Sequence, residues 1–137
     1  MKQESYAYMR GSVALEFALI LPIFSALLFG VIEFGSLMYN KAIITNAARE
    51  GARFGITSTD YTAINIEDKV KELYDGKLIV FKGSSELGVT ASIPSDPEFQ
   101  DPLTVTVQYT HDFLVLPDLG FLSGKITVSS ECSMLYE

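Results

Sequence analysis

The sequence predicts an α+β chain: a long N-terminal transmembrane helix continuing into a small antiparallel β-sheet head, in the outline of a lollipop. Three observations predict it. Phe17 to Ile32 (FALILPIFSALLFGVI) is an unbroken stretch without a charge. Beyond it, small residues keep helical spacing as far as Gly55. The last third then alternates apolar and polar side chains with the period of a strand.

The apolar stretch has mostly apolar flanks, Ser12 to Leu15 and Phe34 to Tyr39. Together they exceed the roughly 20 residues that cross about 30 Å of hydrocarbon. A helix satisfies its own backbone hydrogen bonds, so it is the spanning structure such a segment can form. A cleaved secretory signal has an apolar core of about 7–15 residues and a small-x-small cleavage site. Here the run is longer and is followed by Glu33, Phe34, Gly35, Ser36, Leu37, Met38 and Tyr39. A buried core helix of this kind needs a larger protein around it. A retained membrane span over about 13–39 is therefore expected. Lys2 and Arg10 precede it, and Lys41, Arg49 and Arg53 follow it, so the positive-inside count does not choose an orientation. The short tail and the larger downstream part favour a cytoplasmic N-terminus and an extracytoplasmic head.

Within the span, Pro22 would cost about 3 kcal/mol in a water-exposed helix. Membrane helices accommodate it by local readjustment. Gly30 and Gly35 loosen the helix or admit another backbone. Glu33 lies near the far end, where it reaches the interface. Glu16 lies near the start, with no basic residue within one helical turn. A charge at the bilayer centre costs on the order of 2.5–3.5 kcal/mol on insertion scales. One reading puts Glu16 at headgroup level, beside the positive helix N-terminus. The other requires a cation that this chain does not itself supply.

From Arg10 the chain reads R-G-S-V-A-L-E-F-A-L-I-L-P. Glycine, four residues, Glu-aromatic and a long apolar helix resemble the class III signal that prepilin peptidase cuts in type IV pilins. The succession LEFALILPIF, FGVIEFG and NAAREGAR resembles the TadE-like family, the pseudopilins or minor pilins of the Tad (Flp) pilus machinery. The resemblance covers residues 10–55. Phe17 stands where tyrosine is usual in the Tad system, and keeps the aromatic character.

The resemblance implies cleavage between Gly11 and Ser12, loss of leader 1–11, and a new amino terminus on Ser12. Glu16 becomes the fifth residue of the mature chain. An ammonium and a carboxylate are each costly in hydrocarbon, and pairing between neighbouring subunits offsets both costs. The implied partners are other pilin or pseudopilin subunits, prepilin peptidase, an inner-membrane Tad assembly platform and the lipid bilayer. The implied location is the bacterial inner membrane, with the extracellular pilus as a further site. The rival reading is a membrane-anchored extracytoplasmic binding or adhesion module without a filament role.

After Tyr39 the helical pattern continues, giving one long helix over 12–56 and a head over 57–137. Ala47, Gly51 and Gly55 fall four apart, a stripe suited to close backbone approach. Arg49 and Arg53 read as interfacial or solvated charge. A contact with a partner subunit, as for Glu33, is the sharper alternative. Thr57 to Asp60 is a break. Thr62 to Asp75 reads as an amphipathic helix with Ile66, Val70, Leu73 and Tyr74 on its apolar face, stopped by Gly76. Strands are expected at Leu78–Phe81, Leu87–Ile93 and Leu103–Tyr109, with Asp112–Leu116 continuing the sheet past a bend, and at Ile126–Tyr136. Pro94–Pro102 and Pro117–Gly124 read as loops.

Composition narrows the chemistry. After Arg53 there are five lysines against thirteen acids, a net of −8. That balance excludes a basic face for nucleic acid. The one cysteine, Cys132, permits no intrachain disulfide and reads as a small buried apolar residue. His111 is the only histidine. No serine sits in a nucleophile elbow, and no glycine loop matches a phosphate cradle. Asp96, Glu98 and Asp101 cluster in the proline loop without the EF-hand spacing and read as a solvated acidic loop. No catalytic residue, metal site or cofactor is assigned, and the chain reads as a structural assembly protein rather than an enzyme.

Overall fold

The computed structural model describes residues 4–58, 62–74, 76–81, 87–94, 101–113 and 124–136, with side chains from residue 12 onward. The chain divides into two compact units, Met1–Gly35 and Ser36–Glu137. One helix, α1 (Glu4–Thr57), supplies the described part of the first unit and the opening element of the second. It begins before the expected Ser12 and runs through Gly11-Ser12 and Pro22 without interruption.

The second unit adds α2 (Ala63–Tyr74), β1 (Gly88–Ser92), β2 (Pro102–Asp112) and β3 (Lys125–Leu135). The strands form an antiparallel sheet in the order β1-β2-β3. Val89 lies opposite Val107, and Val107 lies opposite Ser130. Strand alternation sends Leu103, Val105, Val107 and Tyr109 to one face, where all are buried. There they meet Ile44, Ala47, Ala48 and Ala52 of α1, and Ile66 and Val70 of α2.

Local chemistry sets the ends of α2. Thr62 caps it, its Oγ1 accepting from Asn65 N at 3.2 Å. Gly76, at φ +73°, takes the left-handed conformation that ends the helix, and Lys77 N donates back to Tyr74 O at 3.2 Å.

Two glycines bring α1 close to its neighbours. A methyl group added at Gly51 would lie 2.7 Å from Val70 Cγ2 and 3.1 Å from Val105 Cγ1. At Gly55 it would overlap Leu103 Cδ2 and lie 2.8 Å from Ile66 Cδ1. These contacts also fix direction. Asn40 meets Tyr109, Gly51 meets Val105 and Gly55 meets Leu103, so α1 runs antiparallel to β2.

The expected strand at Leu78–Phe81 is absent; the segment is irregular. Its backbone pairs with a side chain instead. Asn40 Nδ2 donates to Ile79 O at 2.8 Å, and Ile79 N donates to Asn40 Oδ1 at 2.9 Å. The amide satisfies both groups that a neighbouring strand would have used. β2 extends through Asp112, and Phe113 N donates to Gly124 O at 3.0 Å, closing the pairing with β3. Residues 114–116, the loop after Pro117, and Asp96 and Glu98 lie outside the described residues.

The polar middle of β3 has a reason in the packing. Ser130 Oγ donates to Thr45 Oγ1 of α1 at 3.2 Å, and Lys41 Nζ donates to Ser129 O. At the other side of the sheet, Ala91 N donates to Glu67 Oε1 of α2 at 3.4 Å. Each edge strand is therefore met by a charged helix side chain, which guards its unpaired backbone. Cys132 is half-buried and packs against the core.

Candidate functional site

The residues singled out in the sequence divide at the boundary between the two units. In the first, the described side chains of 12–35 are exposed, apart from half-buried Ser25 and buried Glu33. Val13, Leu19 and Ile23 expose 64%, 67% and 73% of their surface. A continuous apolar surface of this extent does not persist against water. By length and composition α1 can cross a membrane, and it fits a single-pass membrane protein.

Glu16 and Phe17 sit on this surface, both exposed. Among the described residues Glu16 makes no ion pair. Ser12 is also exposed. Pro22 lies inside the helix, and a methyl group added at Gly30 or Gly35 would meet nothing within 4 Å. Glu33 differs from its surroundings. It is 3% exposed, whereas Ile32 and Phe34 expose 48% and 62%. Ser36 and Asn40 follow it at helical spacing and are also buried, so α1 carries a buried polar stripe.

In the second unit, Ala47, Gly51 and Gly55 face the chain's own sheet and α2. Arg49 and Arg53 are exposed, and Arg53 Nη1 lies 4.0 Å from Glu50 Oε2 one turn earlier. An exposed pair of this kind contributes little to stability. The structure therefore brings the small residues into the head's interior and leaves the two arginines on its surface.

Sequence reasoning missed the polar cluster centred on Asn40. The Tyr109 hydroxyl donates to Ile79 O at 3.2 Å, accepts from Asn40 Nδ2 at 3.1 Å, and lies 3.1 Å from His111 Nδ1. His111 is fully buried, with the rings of Phe81 and Phe113 edge-on at 6.2 Å and 5.3 Å. This cluster fastens α1 to β2 and to the irregular segment after α2. The one available signal was an asparagine at a core-facing helical position, four residues before Ile44. An open cleft of about 570 Å³ lies elsewhere on the head, lined by Phe54, Ser58, Asn65, Asp68, Lys69 and Glu72. Lys69 Nζ and Glu72 Oε2 pair there at 2.9 Å, and this holds the Glu72 carboxyl below its usual range.

The model of the TadE-like protein family matches residues 11–53. The matched segment contains Glu16, Phe17, Pro22, Glu33, Arg49 and Arg53, and stops before α2 and the sheet. No curated protein and no solved structure matches the chain. The match covers less than half of the chain, so it is this helical segment that is similar to the TadE-like family.

Proposed function

We propose that the chain is a TadE-like pseudopilin or minor pilin that takes part in assembling a Tad-type pilus. Prepilin peptidase cuts it between Gly11 and Ser12, and α1 holds it in the inner membrane with the head outside the cytoplasm. Glu16 then pairs with the new terminal ammonium of a neighbouring subunit. The role is structural; no reaction is assigned to the chain itself.

One observation carries this reading. Glu16 is an exposed carboxylate on an otherwise apolar helix face, inside the family-matched segment and without an ion pair among the described residues. Such a charge in hydrocarbon needs a counter-charge. Cleavage after Gly11 creates one on Ser12, four residues away in sequence. It lies about one helical turn from Glu16 along the axis, a depth at which a neighbouring subunit's terminus also meets it.

The test is the intact mass of the chain extracted from native membranes. Processing places Ser12 first, and Gly11→Ala retains the leader. Glu16→Ala leaves processing intact and abolishes co-purification with other pilin subunits. A native chain that keeps its first eleven residues removes the pseudopilin reading and favours a tethered binding module. Unchanged co-purification of the Glu16 variant removes the pairing mechanism alone.

A further inference from the structure

We propose that copies of the chain dock side by side through their heads. The exposed face of α1 in one copy meets the uncovered face of the sheet in the next, and Arg49 pairs with Glu131 across the contact. This rests on the reading of residues 12–35 as a membrane span, and not on cleavage or on the Glu16 pairing.

The head turns a polar face outward on each of these two sides. Ile44, Ala47, Ala48, Gly51 and Ala52 point α1 inward and are buried. Helical period then places Ala42, Asn46, Arg49 and Arg53 on the opposite side, where all four are exposed. The sheet is one-sided in the same way. Val105 and Val107 belong to the core, so strand alternation sends Thr104 and Thr106 to the far face. The register with β3 sets Ser133 and Glu131 opposite these two threonines, with Ser129 next along. Ser129, Glu131 and Ser133 are exposed. Small and hydroxyl-bearing side chains thus surround the charge on each face and admit close approach.

Each face carries a charge that the chain does not balance. Among the described residues neither Arg49 nor Glu131 makes an ion pair. Arg53 adds a second positive group one turn beyond Arg49, and Glu50 stands 4.0 Å from it. Two other charges on the far face of the sheet, Asp112 and Lys125, satisfy each other at 3.3 Å.

The two unbalanced charges stand at one level of the head. Ser130 Oγ donates to Thr45 Oγ1, and a methyl group at Gly51 would press on Val105, which lies opposite Cys132. Arg49 falls between Thr45 and Gly51 on α1, just as Glu131 falls between Ser130 and Cys132 on β3. A second copy displaced sideways, with its α1 parallel to the first, therefore brings one copy's Arg49 to the other's Glu131 without a shift along the helix.

The chemistry commits the occupant to a second copy. After Arg53 the chain has five lysines against thirteen acids, so two heads repel unless a positive patch of one meets a negative group of the other. The exposed face of α1 supplies that patch. Copies inserted alike in one membrane have α1 running in the same sense, as this contact requires. Confinement to the membrane raises their effective concentration, so a polar contact of modest strength suffices. The two faces differ, so the contact is heterologous and repeats from copy to copy.

Asn46 and Ser129 are the sequence neighbours of Thr45 and Ser130, so they share a level and report the contact while leaving Arg49 and Glu131 in place. Full-length chain carrying Cys132→Ala, Asn46→Cys and Ser129→Cys would be treated in intact membranes with a short bismaleimide. A ladder of dimers, trimers and larger species is expected, with positions 46 and 129 joined in the linked peptides. Either cysteine substitution alone should give no ladder. Glu131→Arg in this background should abolish the ladder, and adding Arg49→Glu should restore it. A ladder that ignores Glu131→Arg, or is lost and not restored by the reversed pair, refutes the Arg49–Glu131 contact. Absence of a ladder from membrane-embedded chain, or links only to a different protein, refutes docking between copies while the span stands. Release of the chain from membranes by alkaline extraction overturns the span reading itself.

Discussion

Residues 12–35 and 36–57 belong to one α-helix, and both halves carry a pair of glycines. In the second half, Gly51 and Gly55 sit where any added methyl group meets Val70, Val105, Leu103 or Ile66. In the first half, Gly30 and Gly35 have open space around them. The same residue type at similar spacing thus does different work. Gly51 and Gly55 let the helix approach its own sheet, whereas no described residue fills the space at Gly30 and Gly35. The second half spends its small residues on folding the head. The first half leaves its apolar surface exposed.

Substitution at matched positions sharpens that contrast and carries the largest expected effect. Gly55→Leu gains helix propensity but drives a branched side chain into Leu103 and Ile66. Both neighbours are fully buried. Overpacking should dominate and cost about 3 kcal/mol, lowering the melting temperature of the head by roughly 10 °C or more. Gly30→Leu meets no such wall and should leave head melting unchanged. Circular dichroism of the two detergent-solubilised variants checks both. Equal melting shifts would break the distinction between the halves.

A smaller effect is expected at the junction. Asn40→Ala removes the amide that serves both backbone groups of Ile79 and donates to the Tyr109 hydroxyl. Buried groups left without partners should cost about 2 kcal/mol. The loss should concentrate locally, so the Ile79 amide exchanges with deuterium faster than amides of β2. Uniform acceleration across the sheet would show that the cluster serves the whole fold rather than this segment.

The two halves were also unequally legible. Hydropathy and local period are short-range properties, so the apolar helix, α2 and the alternating strands β2 and β3 could be read from neighbouring residues. Leu78–Phe81 could not. Four apolar residues suit a strand, but the partner of Ile79 is an asparagine side chain 39 positions away. The stripe Ala47, Gly51 and Gly55 announced close approach without saying to what. Helical spacing selects a face, and only tertiary packing supplies the neighbour. His111 was visible as a lone histidine, while its enclosure by Tyr109, Phe81 and Phe113 depends on the segment after α2 meeting the end of β2. For Glu16 the proposed pairing partner belongs to another molecule, so its evident cost in hydrocarbon was the whole of the internal signal.

The smallest effect belongs to the solvated face of α2. Lys69 donates to Glu72 at 2.9 Å, and the hydrogen bond, followed by the lysine's charge, holds the Glu72 carboxyl below its usual range. A carboxyl whose folded value is depressed stabilises the fold above its unfolded value. That contribution is lost as pH falls through the folded one. The melting difference between the parent and Glu72→Gln should therefore be slight at neutral pH and vanish in acid below the ordinary carboxylate range. Added salt should shrink it at neutral pH, because the pair is exposed and screened. A difference that persisted in acid would mean that Glu72 acts through packing. The head would then owe part of its stability to a side chain on its wet face, whereas the contrast along α1 assigns that stability to the buried one.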